Sequence, residues 1–321
     1  MTKQVDISEL KSKLQIFLKK YFDNEAARLC HEVIMYAEMR NKNGQGLLKL
    51  IGTEPLQDVK PTDEIQVQER RKISATVSGN GNPSFAVAQK ATETCLEKAK
   101  ESGFGIVGAN GIFSSTGALG FYSEKIAKEG LIGFCCARSP GATAPFGTNV
   151  PLFGTNPFSW ALPTQSAPVV FDMATSAITF YELVMAKVRG DKIPEGLAVN
   201  KKGELTTDPS EAMSGGILPF DKGYKGSALS MIVEVLSGPL VGASFCDYKT
   251  FDKDWGFLVF AIDPELLVSV DDFKKETQEI VDLVRSHGSP VPGDNGRRYE
   301  KEALDRGTLP VDAPIVELLG L

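Results

Sequence analysis

The sequence predicts an α/β protein on three observations. Two amphipathic helices open the chain, short β-rich runs alternate with helical segments from Ile73 onward, and helical periodicity returns in the last third. The first helix is expected over 7–21 and the second over 24–40, where Leu29, Val33 and Ala37 recur at helical spacing. A polar turn follows, with Asn41, Lys42, Asn43, Gly44, Gln45 and Gly46 in sequence, the kind of segment that brings backbone and amide groups close to a ligand. The alternating section reads as a strand at 74–77, a helix at 85–101, a strand at 105–109, a helix at 117–128 and a strand at 131–136. It continues with a strand at 169–172, a helix near 178–188 and a turn-rich stretch at 193–209. Helices are expected again at 226–236 and 271–286, and the last thirty residues, rich in Pro, Gly and charge, are expected to wrap the surface.

A chain of 321 residues, 42% hydrophobic and 24% charged, buries a large core and is long enough for two domains. The net charge of -6 disfavours nucleic acid or an anionic membrane as partner and suits small metabolites. No apolar run approaches the roughly 20 residues of a membrane span, and residues 1–10 carry charges where a signal peptide would be apolar. A cytoplasmic location is therefore expected. The 5 cysteines are scattered, with no C-x-x-C or other metal-ligand spacing, and read as reduced core thiols rather than zinc ligands.

Gly103, Gly105 and Gly108 spell G-x-G-x-x-G, a pattern that cradles a dinucleotide when a strand precedes it and a helix follows. Here the order is reversed. A helix ends at Gly103, which caps it, and a strand follows, so the Rossmann reading is rejected. Two other segments place amides at an expected helix start: Ser114, Ser115 and Thr116 before Gly117, and Gly223 to Gly226, where Lys225 adds a full charge. Asp172 ends the apolar run Val169 to Phe171 and either caps a helix or contacts a ribose or an N–H-bearing ligand.

The order of motifs at 117–122, 145–147, 154–157, 171–176, 192–196, 206–209, 223–229 and 234–238 resembles the malate/L-lactate dehydrogenase family of the second type, which includes ureidoglycolate and sulfolactate dehydrogenases and cyclic imino acid reductases. The resemblance covers nearly the whole chain. It implies a non-Rossmann NAD(P)-binding sheet domain at 73–229, a helical substrate and dimer domain built from 1–72 and 230–321, a homodimer, and a cleft that takes NADPH or NADH with a carboxylate-bearing small molecule. Carried over position by position, Ser139, Asp172, Met173, Ala174 and Lys225 match cofactor contacts. Arg138, beside Ser139, is either a contact for a 2′-phosphate or a solvated strand-end residue.

The chain departs from the family pattern where chemistry occurs. The Ser-His-Gly that carries the family's proton donor is Gly44, Gln45, Gly46; a second histidine is Ser115; an arginine is Lys49; a Gly-Lys pair is Tyr181 and Glu182. Only His31 and His287 remain, and both read as structural. Carbonyl reduction needs a proton donor poised near neutrality, usually histidine. A protonated C=N bears its proton before hydride arrives, so the losses favour reduction of a cyclic 2-imino acid. Under that reading Gln45, Ser115 and Asp172 are the catalytic group, with Asp172 or Glu182 facing the iminium, and Lys49, Thr116, Gly117 and Glu182 holding substrate. Two readings stand beside it: a 2-oxo or 2-hydroxy acid dehydrogenase with Lys49, Tyr122 or water as acid, and a cofactor-binding homologue without catalysis.

Overall fold

The computed structural model describes residues 2–51, 55–246 and 254–321. Short strand β1 (Thr2–Asp6) leads into α1 (Ile7–Leu18), and α2 (Asn24–Met39) follows. Asp6 and Asp23 cap these helices, accepting from backbone N–H groups at 2.8–2.9 Å. The alternating section comprises β2 (Gln66–Arg71), β3 (Ser74–Ser78), α3 (Ser84–Ser102), β4 (Phe104–Ile112), α4 (Gly120–Lys128), β5 (Ile132–Ala137), β6 (Phe158–Leu162) and β7 (Val169–Met173). Then come α5 (Phe180–Arg189), β8 (Ala198–Val199), α6 (Pro209–Ser214), β9 (Gly216–Ile217), α7 (Tyr224–Ser237), β10 (Trp255–Ile262), α8 (Val270–Ser286), α9 (Asp294–Arg306), β11 (Thr308–Asp312) and α10 (Ala313–Leu319).

The central sheet has 7 strands in the order β2-β3-β4-β10-β5-β6-β7. Its pairs are antiparallel except β3 with β4. Strand β10 shows how the layers form. Alternate residues Phe257, Val259 and Ala261 enter the large core beneath α2 and α3, while Leu258 packs with Val233 of α7 on the opposite face. A strand buried on both faces reads as a continuous apolar run, and Trp255 to Ile262 is one.

Several expectations need correction here. The sheet extends past both bounds set for the 73–229 domain, because β2 forms its edge and β10 its middle. The tail does not simply wrap the surface. Strand β11 pairs antiparallel with β1, and Leu309, Val311, Ile315 and Leu319 are buried in the large core, so the two chain ends are joined. Helix α4 begins at Gly120, three residues after the expected start. The rejected dinucleotide pattern has a packing explanation: Gly103 caps α3 at φ 77°, a Cβ on Gly105 would lie 2.2 Å from the Cys95 carbonyl oxygen, and one on Gly108 would lie 2.7 Å from Val241.

Candidate active site

Six chain segments converge on one side of the sheet. The turn after α2 contributes Lys42 to Lys49, the β4–α4 connection contributes Ser115 to Gly117, and the end of β5 contributes Ser139. Thr155 and Pro157, the end of β7 at Asp172 to Ala174, and Thr179 to Glu182 at the start of α5 complete the walls. They enclose a smaller cavity of about 130 Å³ and a larger one of about 470 Å³, which share Gln45, Gly117, Thr155 and Tyr181.

The turn that carries Gln45 is fixed from below. Buried Glu38, near the end of α2, accepts from the Leu47 N–H at 2.7 Å, and a Cβ on Gly46 would come within 2.2 Å of its Oε1, so only glycine lets the turn close over the carboxyl. Burial pushes Glu38 up to about 7, with Asp312 adding to the rise and the Leu47 N–H opposing it. The two positions where the family pattern has histidines are brought together: Ser115 Oγ donates to Gln45 Oε1 at 3.2 Å and accepts from the Gly117 N–H at 3.2 Å. That amide is thereby occupied. Gly117 itself sits at φ 74° against Phe85 and Val33, which requires glycine there, and it lines both cavities.

Asp172 faces the N-terminus of the preceding helix: its Oδ2 accepts from the Gly120 N–H at 3.1 Å and pairs with Lys42 Nζ. Lys42 is the residue that sequence reasoning passed over, although it stood in the polar turn singled out, three positions before Gln45. The same pair also lines a third hollow of about 440 Å³ bounded by Arg40 and Arg297, so the larger cavity and this hollow meet at one ion pair.

Other candidates take their places as follows. Lys49 and Thr116 line the smaller cavity; Lys49 Nζ lies over the Tyr181 ring, 5.7 Å from its centroid. Ser139 lines the same cavity and accepts from the Thr155 N–H at 3.3 Å, while Met173 and Ala174 line the larger one. Glu182 borders the larger cavity, yet its Oε2 accepts from the Thr179 N–H at 2.7 Å and hydroxyl at 2.8 Å, a capping box that gives the residue a structural duty. Lys225 stands apart from the two cavities. It is exposed, it is not among the residues lining either cavity, and the Gly223 and Gly226 amides at the start of α7 are met by Asp221 Oδ1 at 2.9 and 3.0 Å. Tyr122 is likewise withdrawn as an acid: it is fully buried, donates to the Thr116 carbonyl at 2.8 Å, and burial pushes its phenol well up. Burial also raises Tyr181, to about 12, so that phenol donates hydrogen bonds at neutral pH without releasing its proton.

Arg138 borders the smaller cavity but is not solvated. It is 1% exposed, donates to the Asp254 and Ser139 carbonyls at 2.8 and 3.0 Å, and pairs with buried Glu234 of α7 at 3.3 Å. Glu234 in turn accepts from Asn156 Nδ2 at 2.8 Å, which holds the 154–157 strip against the cavities. His31, whose imidazole burial pushes down, lies in α2, and His287 ends α8; neither lines the two cavities. Among the described residues no group of three or more His, Cys, Asp or Glu side chains could hold a metal ion.

A mixed sheet packed with helices and a paired cleft beside it give the frame of a small-molecule site outside the Rossmann class. The family model for malate/L-lactate dehydrogenase matches residues 5–320, and the chain belongs to that family of NAD(P)-dependent oxidoreductases. It is 35% identical over 310 residues to the malate/(S)-sulfolactate dehydrogenase of Methanothermus fervidus, covering 92% of this chain and 89% of that one. It is 29% identical over 341 residues to the Delta(1)-pyrroline-2-carboxylate/Delta(1)-piperideine-2-carboxylate reductase of Pseudomonas putida, covering 99% and 97%. The crystal structure of a dehydrogenase from Sinorhizobium meliloti superposes with a TM-score of 0.90 at 26% identity, over 100% of this chain and 98% of that one. No described helix is long and apolar enough to cross a membrane.

Proposed function

We infer that the chain reduces the C=N bond of a cyclic 2-imino acid with NADPH or NADH. The observation that carries this reading is the Ser115–Gln45 hydrogen bond at the junction of the two cavities, 3.2 Å across positions where the family pattern has histidines. A hydroxyl and an amide bind and orient a substrate but release no proton near neutrality, which suits a substrate already protonated at nitrogen. The walls agree: the smaller cavity combines half-buried Lys49 with the Tyr181 and Trp255 rings, a setting for a carboxylate on an apolar ring. The name of the Pseudomonas putida relative supports the same substrate class.

The chain's own residues fit a nicotinamide dinucleotide. The two larger hollows meet at Lys42 and Asp172, and Asn43, whose buried Oδ1 has no protein partner, lines the first of them beside Met173 and Ala174. The cofactor, when bound, supplies hydride. Lys49 and the Ser115–Gln45 pair hold the substrate, and the buried Arg138–Glu234–Asn156 chain keeps the 154–157 strip from shifting under it. The expected result is NAD(P)H oxidation with piperideine-2-carboxylate at a kcat/KM about 100-fold above that with pyruvate, the size of a missing proton donor. Turnover of pyruvate alone would reverse the assignment in favour of a 2-oxo acid dehydrogenase, the reading that the Methanothermus fervidus relative supports.

We further infer a homodimer through α7. Met231, Ile232 and Val235 are exposed by 50–52% on a helix whose other face buries Val233 and Glu234, and Leu240 extends the patch. A second copy of this chain covers that face and stiffens the helix that holds Arg138. Sedimentation should show a dimer for the parent and a monomer for Ile232→Asp; a monomeric parent refutes the interface.

A further inference from the structure

We propose that Lys42 is the proton donor of this site, held and oriented by Asp172. The proposal rests on the reductase reading above and supplies what that reading leaves open, the fate of substrate whose imine nitrogen is unprotonated. A protonated imine carries its own proton, but as pH rises a growing share does not. That share reacts only if the protein delivers one as hydride arrives.

Lys42 is placed to do so. Its ammonium lines the larger cavity, its side chain is 35% exposed, and it pairs with Asp172, whose side chain is only 10% exposed. Asp172 is fixed in turn by the Gly120 N–H at 3.1 Å, so the carboxylate has a set position from which to aim the ammonium. Gln45, three residues on in the same turn, lines the same cavity, so Lys42 and the amide end of the Ser115–Gln45 pair border one space. Of the side chains named as acids, Tyr122 is buried on the Thr116 carbonyl, and Lys49 in the smaller cavity is the group assigned to the substrate carboxylate.

The step balances. One N–H bond of the Lys42 ammonium breaks and a new N–H bond forms on the imine nitrogen while its carbon accepts hydride; the C=N bond becomes an amine and NAD(P)H becomes NAD(P)+. Lys42, left neutral beside Asp172, recovers a proton from water in the larger cavity. An ammonium suits a nitrogen on its way to becoming an amine of similar basicity. It is a poor acid for a carbonyl oxygen, in keeping with the substrate class.

The test compares the parent with Lys42→Arg and Lys42→Ala on piperideine-2-carboxylate from pH 5 to 9, with NADPH affinity read separately from nicotinamide fluorescence. Arginine keeps the charge and can keep the ion pair but does not give up its proton. The expected kcat of Lys42→Arg stays within about threefold of the parent at pH 5 and falls about 100-fold behind by pH 9. NADPH affinity is expected to stay within threefold in Lys42→Arg, which keeps the charge beside Asp172. Ethylamine is expected to restore part of the lost rate to Lys42→Ala. A Lys42→Arg profile parallel to the parent at every pH overturns the proposal and leaves a positioning ion pair. Loss of NADPH binding in both variants also overturns it, in favour of a cofactor contact. A parent that binds NADPH but does not turn the imine over refutes the reductase reading, and the donor with it.

Discussion

Glu38→Gln is expected to melt above the parent at pH 8 and together with it near pH 4. Glu38 is 4% exposed, and burial raises its carboxyl from an ordinary 4.5 to about 7 in the folded chain. The fold therefore prefers the neutral form. Below the unfolded value both states hold the proton and the group contributes nothing. Between the two values the unfolded chain ionises first, the folded state binds more protons, and stability falls as pH rises; above the folded value the loss is complete. A gap of this size corresponds to about 3 kcal/mol, or roughly 5 °C in Tm for a chain somewhat larger than those in which one kcal/mol shifts Tm by a few degrees. Glutamine removes the titration while its Oε1 still accepts from the Leu47 N–H, so the Gln45 turn keeps its anchor. Calorimetry across pH 4–8 measures the difference. A variant less stable than the parent at pH 8 would mean that the carboxylate is better solvated than its burial implies, and the explanation of the turn would have to change.

The sequence and the structure agree most closely where one physical signal dominates. Helices α2, α3 and α8 were legible because apolar spacing and end signals coincide, and Gly103 was legible as a cap because the helix before it left no alternative. Strand β10 was not, since an apolar run buried on both faces has no alternation to betray it, and its pairing partners β4 and β5 lie more than a hundred residues upstream. The C-terminal elements were obscured by composition: α9 is rich in charge because little of it is buried, yet the strand after it closes on β1 at the other end of the chain.

In the site, residue types were legible and partners were not. Gln45 and Ser115 were identified as altered positions, but only the fold joins them across 70 residues. Lys42 was overlooked because its meaning depends on Asp172, 130 residues away. The same dependence governs other charges. Arg138 looked like a strand-end cation until α7 supplied Glu234, and Lys225 looked like an anion site until Asp221 took up the helix amides. Glu182, read as a partner for a cationic substrate, also closes a capping box with Thr179. A charge read from sequence invites a ligand; in the folded chain, its own neighbours often answer first.

Gln45→His carries this reasoning to its sharpest consequence, a gain of carbonyl chemistry. Position 45 lines both cavities, and Ser115 Oγ, already held by the Gly117 N–H, offers its proton across 3.2 Å. An imidazolium there can donate one ring N–H to the second lone pair of Ser115 Oγ, beside the Gly117 bond, and present the other N–H to substrate. Its ordinary pKa of about 6.5 makes the imidazolium an acid nearly four units stronger than a lysine ammonium at about 10.4. A carbonyl oxygen turning into an alkoxide needs that strength more than an imine nitrogen turning into an amine. Pyruvate reduction is therefore expected to rise about 100-fold, highest below neutrality and declining as the imidazole deprotonates. Imine reduction, which brings its own proton at low pH, should change by less than about threefold under the same conditions. Gln45→Asn, which shortens the side chain without adding an acid, should gain nothing on pyruvate, separating the proton from the altered shape. If Gln45→His leaves pyruvate reduction at the parental level while still binding NADPH, the absence of histidine is not what sets the substrate class, and the explanation must move to the walls at Lys49, Tyr181 and Trp255.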